Sequence, residues 1–211
     1  MDCSTQSHWD KIYTPTDVTQ LGWYEPEPAP SLTLLKQCNI AQDDRILDAG
    51  SGASLFIDSL LELGHTHITA VDISAKALDA LQARLGPARS AYVQCVTADL
   101  TQPIPDLPAD SIKLWHDRAV LHFLTEPNQQ AGYLANLKRV VRANGYVIIA
   151  AFSLSGARKC AGRDLHNYST EMLSEFLGSE FNLADNFDYK FTMPNGDARP
   201  YVYTLFQRLS K

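Results

Sequence analysis

Four polar residues stand at comparable positions in the sequence, each at the end of a short apolar stretch. Asp48 follows "RIL", Asp72 follows "ITAV" and Asp99 follows "VTA". His116 follows "IKLW". Ligands of parallel α/β sheets bind beyond the carboxyl ends of the strands, so we expect these side chains to line one cleft. Three acids in one cleft disfavour a phosphate and favour a cationic ligand rich in hydroxyl and amino groups.

The loop after Asp48 supports a ligand site of this kind. Gly50, Ser51 and Gly52 lie between "RILDA" and "SLFIDSLLELG", which has a helical period. Glycines let a ligand approach the backbone closely, and an acid about 20 residues downstream can accept both ribose hydroxyls. Asp72 has that spacing from Gly50.

A second polar cluster lies in "WHDRAVLHF", which we place just past the fourth strand. Its candidates for chemistry are His116, Asp117, Arg118 and His122. His116 or Asp117 could act as a general base, and Arg118 could bind a substrate carboxylate or pair with Asp117. The spacing does not suit a metal site. His65 and His67 are expected in a solvated turn.

Size and composition indicate a single globular domain. The chain has 211 residues, 45% of them hydrophobic, which suffices for one α/β core. A net charge of -6 argues against nucleic acid as a partner. No secretory signal is apparent, and the longest apolar run, "YVIIAAF", is far too short to span a membrane. The four cysteines, Cys3, Cys38, Cys95 and Cys160, are far apart in the sequence, which is typical of free thiols. We therefore expect a cytoplasmic protein.

Alternating patterns define the core elements. Five stretches are predicted as strands: "RILDA", "HITAVDI", "AYVQCVTADL", residues 112–115 and "YVIIAAF". Between the first three, one helix presents Phe56, Leu60 and Leu63 on one face, and the next, capped by Ser74, presents Leu78, Leu81 and Leu85. Further helices are expected at 128–142, closed by Asn144-Gly145, and at 169–178, ending at Gly178.

The tail has a different pattern, in which two strands within 181–209 flank "PNGDA" as an antiparallel hairpin. These patterns predict a single α/β domain over 1–211, a Rossmann-like three-layer sandwich. Its sheet is doubly wound, seven-stranded and mostly parallel, with an antiparallel strand from the C-terminal hairpin. Residues 1–40 form an aromatic arm or lid, extended at "EPEPAP", and residues 41–211 form the core.

The order "LDAGSG", "AVDIS", "TADL" and a final hairpin resembles the class I S-adenosylmethionine-dependent methyltransferases. The resemblance implies binding of S-adenosylmethionine and release of S-adenosyl-L-homocysteine. The glycine loop would hold the methionine part, Asp72 the ribose, and Ile73, Asp99 and Leu100 the adenine. The implied cofactor-binding residues are Tyr13, Trp23, Asp48, Gly50, Ser51, Gly52, Asp72, Ile73, Asp99, Leu100 and His116. Ser54 stands where the family usually has a third glycine.

The segment "HWDKIYTPTDVTQLGWYEPEPAPSL" is similar to the start of a methyltransferase subgroup that includes protein-lysine methyltransferases and many uncharacterised bacterial enzymes. In that subgroup an aromatic arm closes over the cofactor, and Trp9, Tyr13, Trp23 and Tyr24 are the matching aromatics. The same rings could equally pin the arm to the domain. "DRAV" only loosely matches the Asp-Lys-Gly-Thr stretch of the subgroup's lysine methyltransferases.

Three alternatives to a small-molecule methyltransferase remain open at this point. A nicotinamide dehydrogenase would share the first strand–helix–strand unit but usually completes G-x-G-x-x-G, where position 55 here is leucine. A protein could bind S-adenosylmethionine without catalysis, and a protein lysine could be the acceptor. Little chain is left over to dock a protein surface, which favours a small-molecule acceptor. We also expect no membrane partner.

Overall fold

The computed structural model describes residues 3–14, 17–52 and 54–210. The helices are α1 (Cys3–Tyr13), α2 (Ala29–Leu35), α3 (Phe56–Glu62), α4 (Ala75–Ser90), α5 (Pro127–Val140) and α6 (Thr170–Leu177). The strands are β1 (Ile46–Ala49), β2 (Ile68–Asp72), β3 (Val93–Thr97), β4 (Ile112–Arg118), β5 (Val141–Phe152), β6 (Lys159–Cys160), β7 (Arg163–Asp164), β8 (Phe181–Thr192) and β9 (Ala198–Arg208). Short 3-10 helices span Val18–Gln20 and Leu121–Phe123.

Seven strands form one sheet in the order β3-β2-β1-β4-β5-β9-β8. The first five are mutually parallel, and β9 runs antiparallel to both β5 and β8. The predicted fold class is therefore confirmed, including the hairpin strand inserted beside β5. The sequence analysis did not anticipate the small β6–β7 hairpin, which is separate from this sheet.

The helices cover the two faces of the sheet. Buried side chains of α5 and α6 pack on one face, in a cluster that includes Trp115 and Tyr133. Those of α2, α3 and α4 pack on the other face, around Leu114 and Phe56. Alternate residues of β4 point to opposite faces, so Trp115 and Leu114 belong to different clusters. The domain is thus a three-layer α/β/α sandwich.

Capping residues act at two of the predicted helix starts. The Ser74 side chain accepts a hydrogen bond from the backbone N–H of Ala77 at the start of α4, and Ser169 accepts one from Met172 at the start of α6. These bonds satisfy backbone donors that the first turn of a helix leaves free. The end of α6 at Gly178 is also confirmed, since Gly178 has φ +79° and caps the helix.

Several local predictions are wrong. The helix over 128–142 ends at Val140 instead, and β5 begins at the next residue. Leu63 is 53% exposed because α3 ends at Glu62 and Leu63 only caps it. His65 is buried, and only His67 is exposed. β4 continues to Arg118, so the second polar cluster begins inside the strand rather than past it.

The N-terminal arm is more ordered than its sequence suggested. Part of the arm is helical: α1 packs beside α4, and the Asp10 carboxylate accepts a 2.6 Å hydrogen bond from the Ser74 hydroxyl. "EPEPAP" is not wholly extended, because Pro28 caps α2 and Pro30 lies in its first turn. Proline suits that position, since the N–H groups of the first turn have no partner within the helix.

Three cysteines, Cys38, Cys95 and Cys160, are free thiols, and the side chain of Cys3 lies outside the described part of the chain. Within the described ranges, no helix combines the length and the apolar character needed to cross a bilayer.

Candidate active site

One cavity lies at the carboxyl ends of β1, β2 and β4, beneath the N-terminal segment. All eleven cofactor-binding candidates line it, and so do Arg118 and His122 from the second polar cluster. Asp117 does not. The cavity is also lined by residues that the sequence analysis did not propose for the site, among them Glu25, Phe56, Val120, Phe152, Cys160, Arg163 and Tyr201.

Two glycines shape the loop at the base of the cavity. Gly50 has φ +64°, and an added Cβ would overlap Cγ2 of Val120. Gly52 has φ +51°, and its Cβ would lie 2.5 Å from the Tyr13 hydroxyl. Both positions thus combine a left-handed backbone with a close neighbour, which only glycine accommodates. Ser54 lines the cavity as well, and its hydroxyl accepts a 3.0 Å hydrogen bond from the backbone of Phe56 at the start of α3.

Asp72 ties this loop to the start of α4. Its two carboxylate oxygens accept 2.8 Å hydrogen bonds from the backbone N–H groups of Gly52 and Ser74. Burial, together with the negative charges of Asp48 and Asp10, raises the pKa of Asp72 to about 6, and the two backbone hydrogen bonds limit the rise. The carboxylate thus sits in a site that disfavours its charge unless a ligand adds donors.

Asp48 and His116 are adjacent on neighbouring strands, where their Cα atoms are register partners. His116 Nδ1 donates a 2.6 Å hydrogen bond to Asp48 Oδ1, and His116 Nε2 lies 2.8 Å from the Ser31 hydroxyl. Asp48 Oδ2 is buried and, among the described residues, has no hydrogen-bond partner; the same holds for the Ser51 hydroxyl. Both ring nitrogens of His116 are engaged, so its predicted role as a general base is not retained.

Asp117 points to the opposite face of β4. Its carboxylate accepts hydrogen bonds from the backbone N–H groups of Val120 and Leu121 and from the Tyr133 hydroxyl, the last at 2.6 Å. Burial raises the pKa of Asp117 to about 6, although these bonds oppose the rise. Asp117 therefore organises the turn after β4 from outside the cavity, and we do not retain it as a base.

Arg118 does not pair with Asp117. Its Nε lies 3.0 Å from Oε2 of Glu25, and its Nη1 donates a 2.9 Å hydrogen bond to the backbone carbonyl of Trp23. The guanidinium carbon also stands over the rings of Phe191 and Tyr201, at 4.9 and 5.3 Å from their centroids. Arg118 thus fastens the N-terminal segment to the sheet.

His122 lies deeper in the cavity, between the rings of Phe123 and Phe152. Its Nδ1 accepts a 3.2 Å hydrogen bond from the backbone N–H of Phe152. Burial, assisted by the charge of Arg118, lowers the pKa of His122 to about 3. The ring is therefore neutral near pH 7 and carries its proton on Nε2, which makes it a hydrogen-bond donor rather than a base.

Aromatic side chains of the arm cover the cavity. Trp23 donates a 3.1 Å hydrogen bond from its indole nitrogen to the Tyr13 hydroxyl. Trp9 packs edge-on against Trp23 and against Phe123, with ring centroids 5.8 and 5.0 Å apart. Tyr24 also lines the cavity. These contacts join the arm to the turn after β4 across the cavity.

Asp99 has a local role as well as a place in the cavity. Its Oδ1 accepts hydrogen bonds from the backbone N–H and the hydroxyl of Thr101, which fixes the turn after β3. Ile73 and Leu100 flank the same side of the cavity. The sequence carried no signal for Ser31 or Glu25, because each meets its partner only when the N-terminal segment folds onto the sheet.

Comparisons with known proteins agree with this fold and site. Residues 47–149 match the protein family described as "Methyltransferase domain". The chain is 28% identical over 113 residues to a malonyl-[acyl-carrier protein] O-methyltransferase of Paenibacillus sp. (strain JDR-2), covering 53% of this chain and 40% of that enzyme. It is 25% identical over 158 residues to EEF1A lysine methyltransferase 2 of Danio rerio, covering 70% of this chain and 68% of that protein. The chain thus spans less than half of the Paenibacillus relative.

Among solved structures, the fold is similar to that of the N-methyltransferase NodS from Bradyrhizobium japonicum in complex with S-adenosyl-L-homocysteine. The TM-score is 0.75 at 14% sequence identity, and the alignment covers 98% of this chain and 99% of that one. At this identity the likeness concerns the fold. The matching family sets aside the dehydrogenase alternative. The matched domain family and the fold agree with the predicted class, the class I S-adenosylmethionine-dependent methyltransferases.

Proposed function

We propose that this protein transfers the methyl group of S-adenosylmethionine to a small-molecule acceptor held in the aromatic part of the cavity. The observation that carries the cofactor assignment is a pair of buried polar atoms at the glycine loop, Asp48 Oδ2 and the Ser51 hydroxyl, which lack partners among the described residues. A buried carboxylate oxygen without a donor is costly, and an ammonium group would satisfy it. The residues present therefore fit this cofactor.

The rest of the cavity suits the other parts of the cofactor. Asp72 is available to the ribose hydroxyls, and Ile73 and Leu100 to the flat faces of the adenine, with Asp99 at its edge. When bound, S-adenosylmethionine supplies an electrophilic methyl group on a sulfonium. The chain's own contribution is to orient the acceptor and to exclude water, for which the rings of Trp9, Trp23 and Phe123 are placed.

The acceptor side has no free base among the candidates. His116 is engaged at both nitrogens, Asp117 lies outside the cavity, and His122 carries its proton on the nitrogen that has no partner. Glu25, whose carboxylate oxygens have no hydrogen-bond partner among the described residues, is held in an ion pair with Arg118. The site therefore suits an acceptor that arrives with a free lone pair, such as a carboxylate, a thiolate or a ring nitrogen, and is poorly equipped to deprotonate a lysine ammonium, whose pKa is about 10.4.

Methyl incorporation tests this proposal. The purified protein is incubated with S-adenosylmethionine labelled on the methyl group and with a cell extract divided by ultrafiltration into small molecules and macromolecules. We expect label to appear in the small-molecule fraction and in defined acids, thiols or heterocyclic amines from a panel. Label confined to protein would favour lysine methylation, which the similarity to the Danio rerio protein makes the second candidate. Cofactor binding without any transfer would indicate a non-catalytic binding protein.

A further inference from the structure

A buried chain of three side chains links the cofactor side of the cavity to the N-terminal segment. It runs from Asp48 on β1 through His116 on β4 to Ser31 on α2, with contacts of 2.6 and 2.8 Å. The three residues are 2%, 1% and 0% exposed, respectively. Asp48 and His116 line the cavity, whereas Ser31 does not. Ser31 therefore cannot act as a nucleophile toward a substrate, despite the Ser-His-Asp order.

The position of the histidine ring is fixed from several sides. Its Nδ1 carries a proton, because Asp48 Oδ1 can only accept. The Phe56 ring stacks on it, with centroids 3.9 Å apart and an angle of 26° between the planes. Ser31 holds the far nitrogen. A ring held in this way also fixes the carboxylate that it contacts.

We infer that His116 is a positioning residue for Asp48: it occupies Oδ1 and so leaves Oδ2 as the oxygen that receives the ammonium of the cofactor's amino-acid part. This inference rests on the proposed function. It assigns His116 to cofactor orientation instead of acid–base chemistry, with Ser31 as the support that aligns the ring. It also makes the amino-acid end of the cofactor site dependent on the docking of α2.

Two ligands separate this role from a general structural one. S-adenosyl-L-homocysteine has the amino-acid group, whereas 5′-methylthioadenosine keeps the adenosine and the thioether but lacks it. Affinities of both ligands are measured by calorimetry for the full chain and for three variants. His116→Gln places its amide near the Nε2 position and loses the bond to Asp48, whereas His116→Asn places an amide N–H near the Nδ1 position and can keep it. Ser31→Ala removes only the support.

We expect His116→Gln to weaken S-adenosyl-L-homocysteine by at least about tenfold, since it removes a hydrogen bond to a buried carboxylate. Binding of 5′-methylthioadenosine should stay within about twofold, because the lost bond lies outside the adenosine site. His116→Asn should recover most of the affinity, and Ser31→Ala should show a smaller loss confined to the first ligand. This pattern would support the inference even if one variant folds poorly.

Other patterns overturn it. Equal losses for the two ligands would mean that His116 only supports the fold. An unchanged affinity for S-adenosyl-L-homocysteine in a folded His116→Gln protein, or a His116→Asn protein as weak as His116→Gln, would remove the link to Asp48. If the unmodified protein binds neither ligand, the proposed cofactor site itself is wrong. That result would refute the proposed function, and the variant patterns above would refute only the role of His116.

Discussion

Lowering the pH through 6 should weaken binding of the adenosine part of the cofactor, because it protonates Asp72. In the folded protein without ligand, burial and the nearby charges of Asp48 and Asp10 together raise the pKa of Asp72 to about 6. Both carboxylate oxygens already accept a backbone N–H, from Gly52 and Ser74. Ribose hydroxyls would add donors that favour the ionised form, so the ligand binds best when Asp72 is charged.

The magnitude follows from the pKa. One pH unit below a pKa of about 6, roughly nine in ten protein molecules hold the proton, so affinity should fall by about tenfold between pH 7 and pH 5. The direction of the pKa shift also decides whether binding strengthens or weakens with pH. Strong binding is present above the pKa that Asp72 has in the ligand-free protein and is lost as the pH falls below that pKa.

Calorimetry with 5′-methylthioadenosine at several pH values between 5 and 7.5 measures this effect. That ligand lacks the amino-acid group, so its binding does not depend on contacts with Asp48 and His116. Asp72→Asn is the matched control: it should bind the ligand weakly at every pH, and its affinity should not change with pH. Equal affinity of the unmodified protein at pH 5 and pH 7, or the same dependence of affinity on pH in the variant, would refute the reasoning.

Three further outcomes follow from the geometry. Gly50→Ala should abolish binding of S-adenosyl-L-homocysteine and lower the melting temperature more than Gly162→Ala, which shares a positive φ but has open space around it. Arg118→Met should lower the free energy of unfolding in urea by about 3–5 kcal/mol because Glu25 is left buried and unpaired, and adding Glu25→Gln should recover part of that loss. The pKa of Asp117, raised to about 6, contributes stability that is fully present below pH 4 and is lost as the pH rises through 6. Asp117→Asn removes this titration, so the stability of the variant minus that of the unmodified protein should increase by up to about 3 kcal/mol from pH 4 to pH 7. Urea unfolding of both proteins at the two pH values measures the difference.

Much of the fold could be predicted from the sequence because it depends on local periodicity. The alternation of short apolar stretches with helical patterns specified the parallel sheet, and "PNGDA" specified the final hairpin. The glycine loop and the three acids were also predictable as cavity residues, since their place at strand ends follows from topology.

The roles in the second polar cluster were harder to predict, because they depend on which face of a strand each residue occupies. Once β4 extends to Arg118, strand alternation places His116 and Arg118 on the face under the N-terminal segment and Asp117 on the other. Had the strand been predicted to its full length, this separation would have followed. The partners Glu25 and Ser31 would not, since each contact joins segments far apart in sequence.

The sequence analysis did not predict helix α1, for a similar reason. A short helix gains most of its stability from tertiary packing rather than from its own residues. Here that packing comes from α4, where Asp10 meets Ser74 across 64 residues of sequence. No pattern within the arm itself reports such a partner.

The Arg118 contacts also have a consequence for synthesis on the ribosome. Trp23 and Glu25 emerge early, but the arginine that binds them lies in β4, and its Nε also donates a 3.1 Å hydrogen bond to the Tyr203 hydroxyl in β9. Chains grow at roughly 5–20 residues per second, so Trp23 and Glu25 wait about 9 to 36 seconds before Tyr203 is made. We expect the tryptophans of the arm to be exposed during that interval, and a ribosome-bound chain that stops before residue 203 to be a target for chaperones rather than a partly active enzyme.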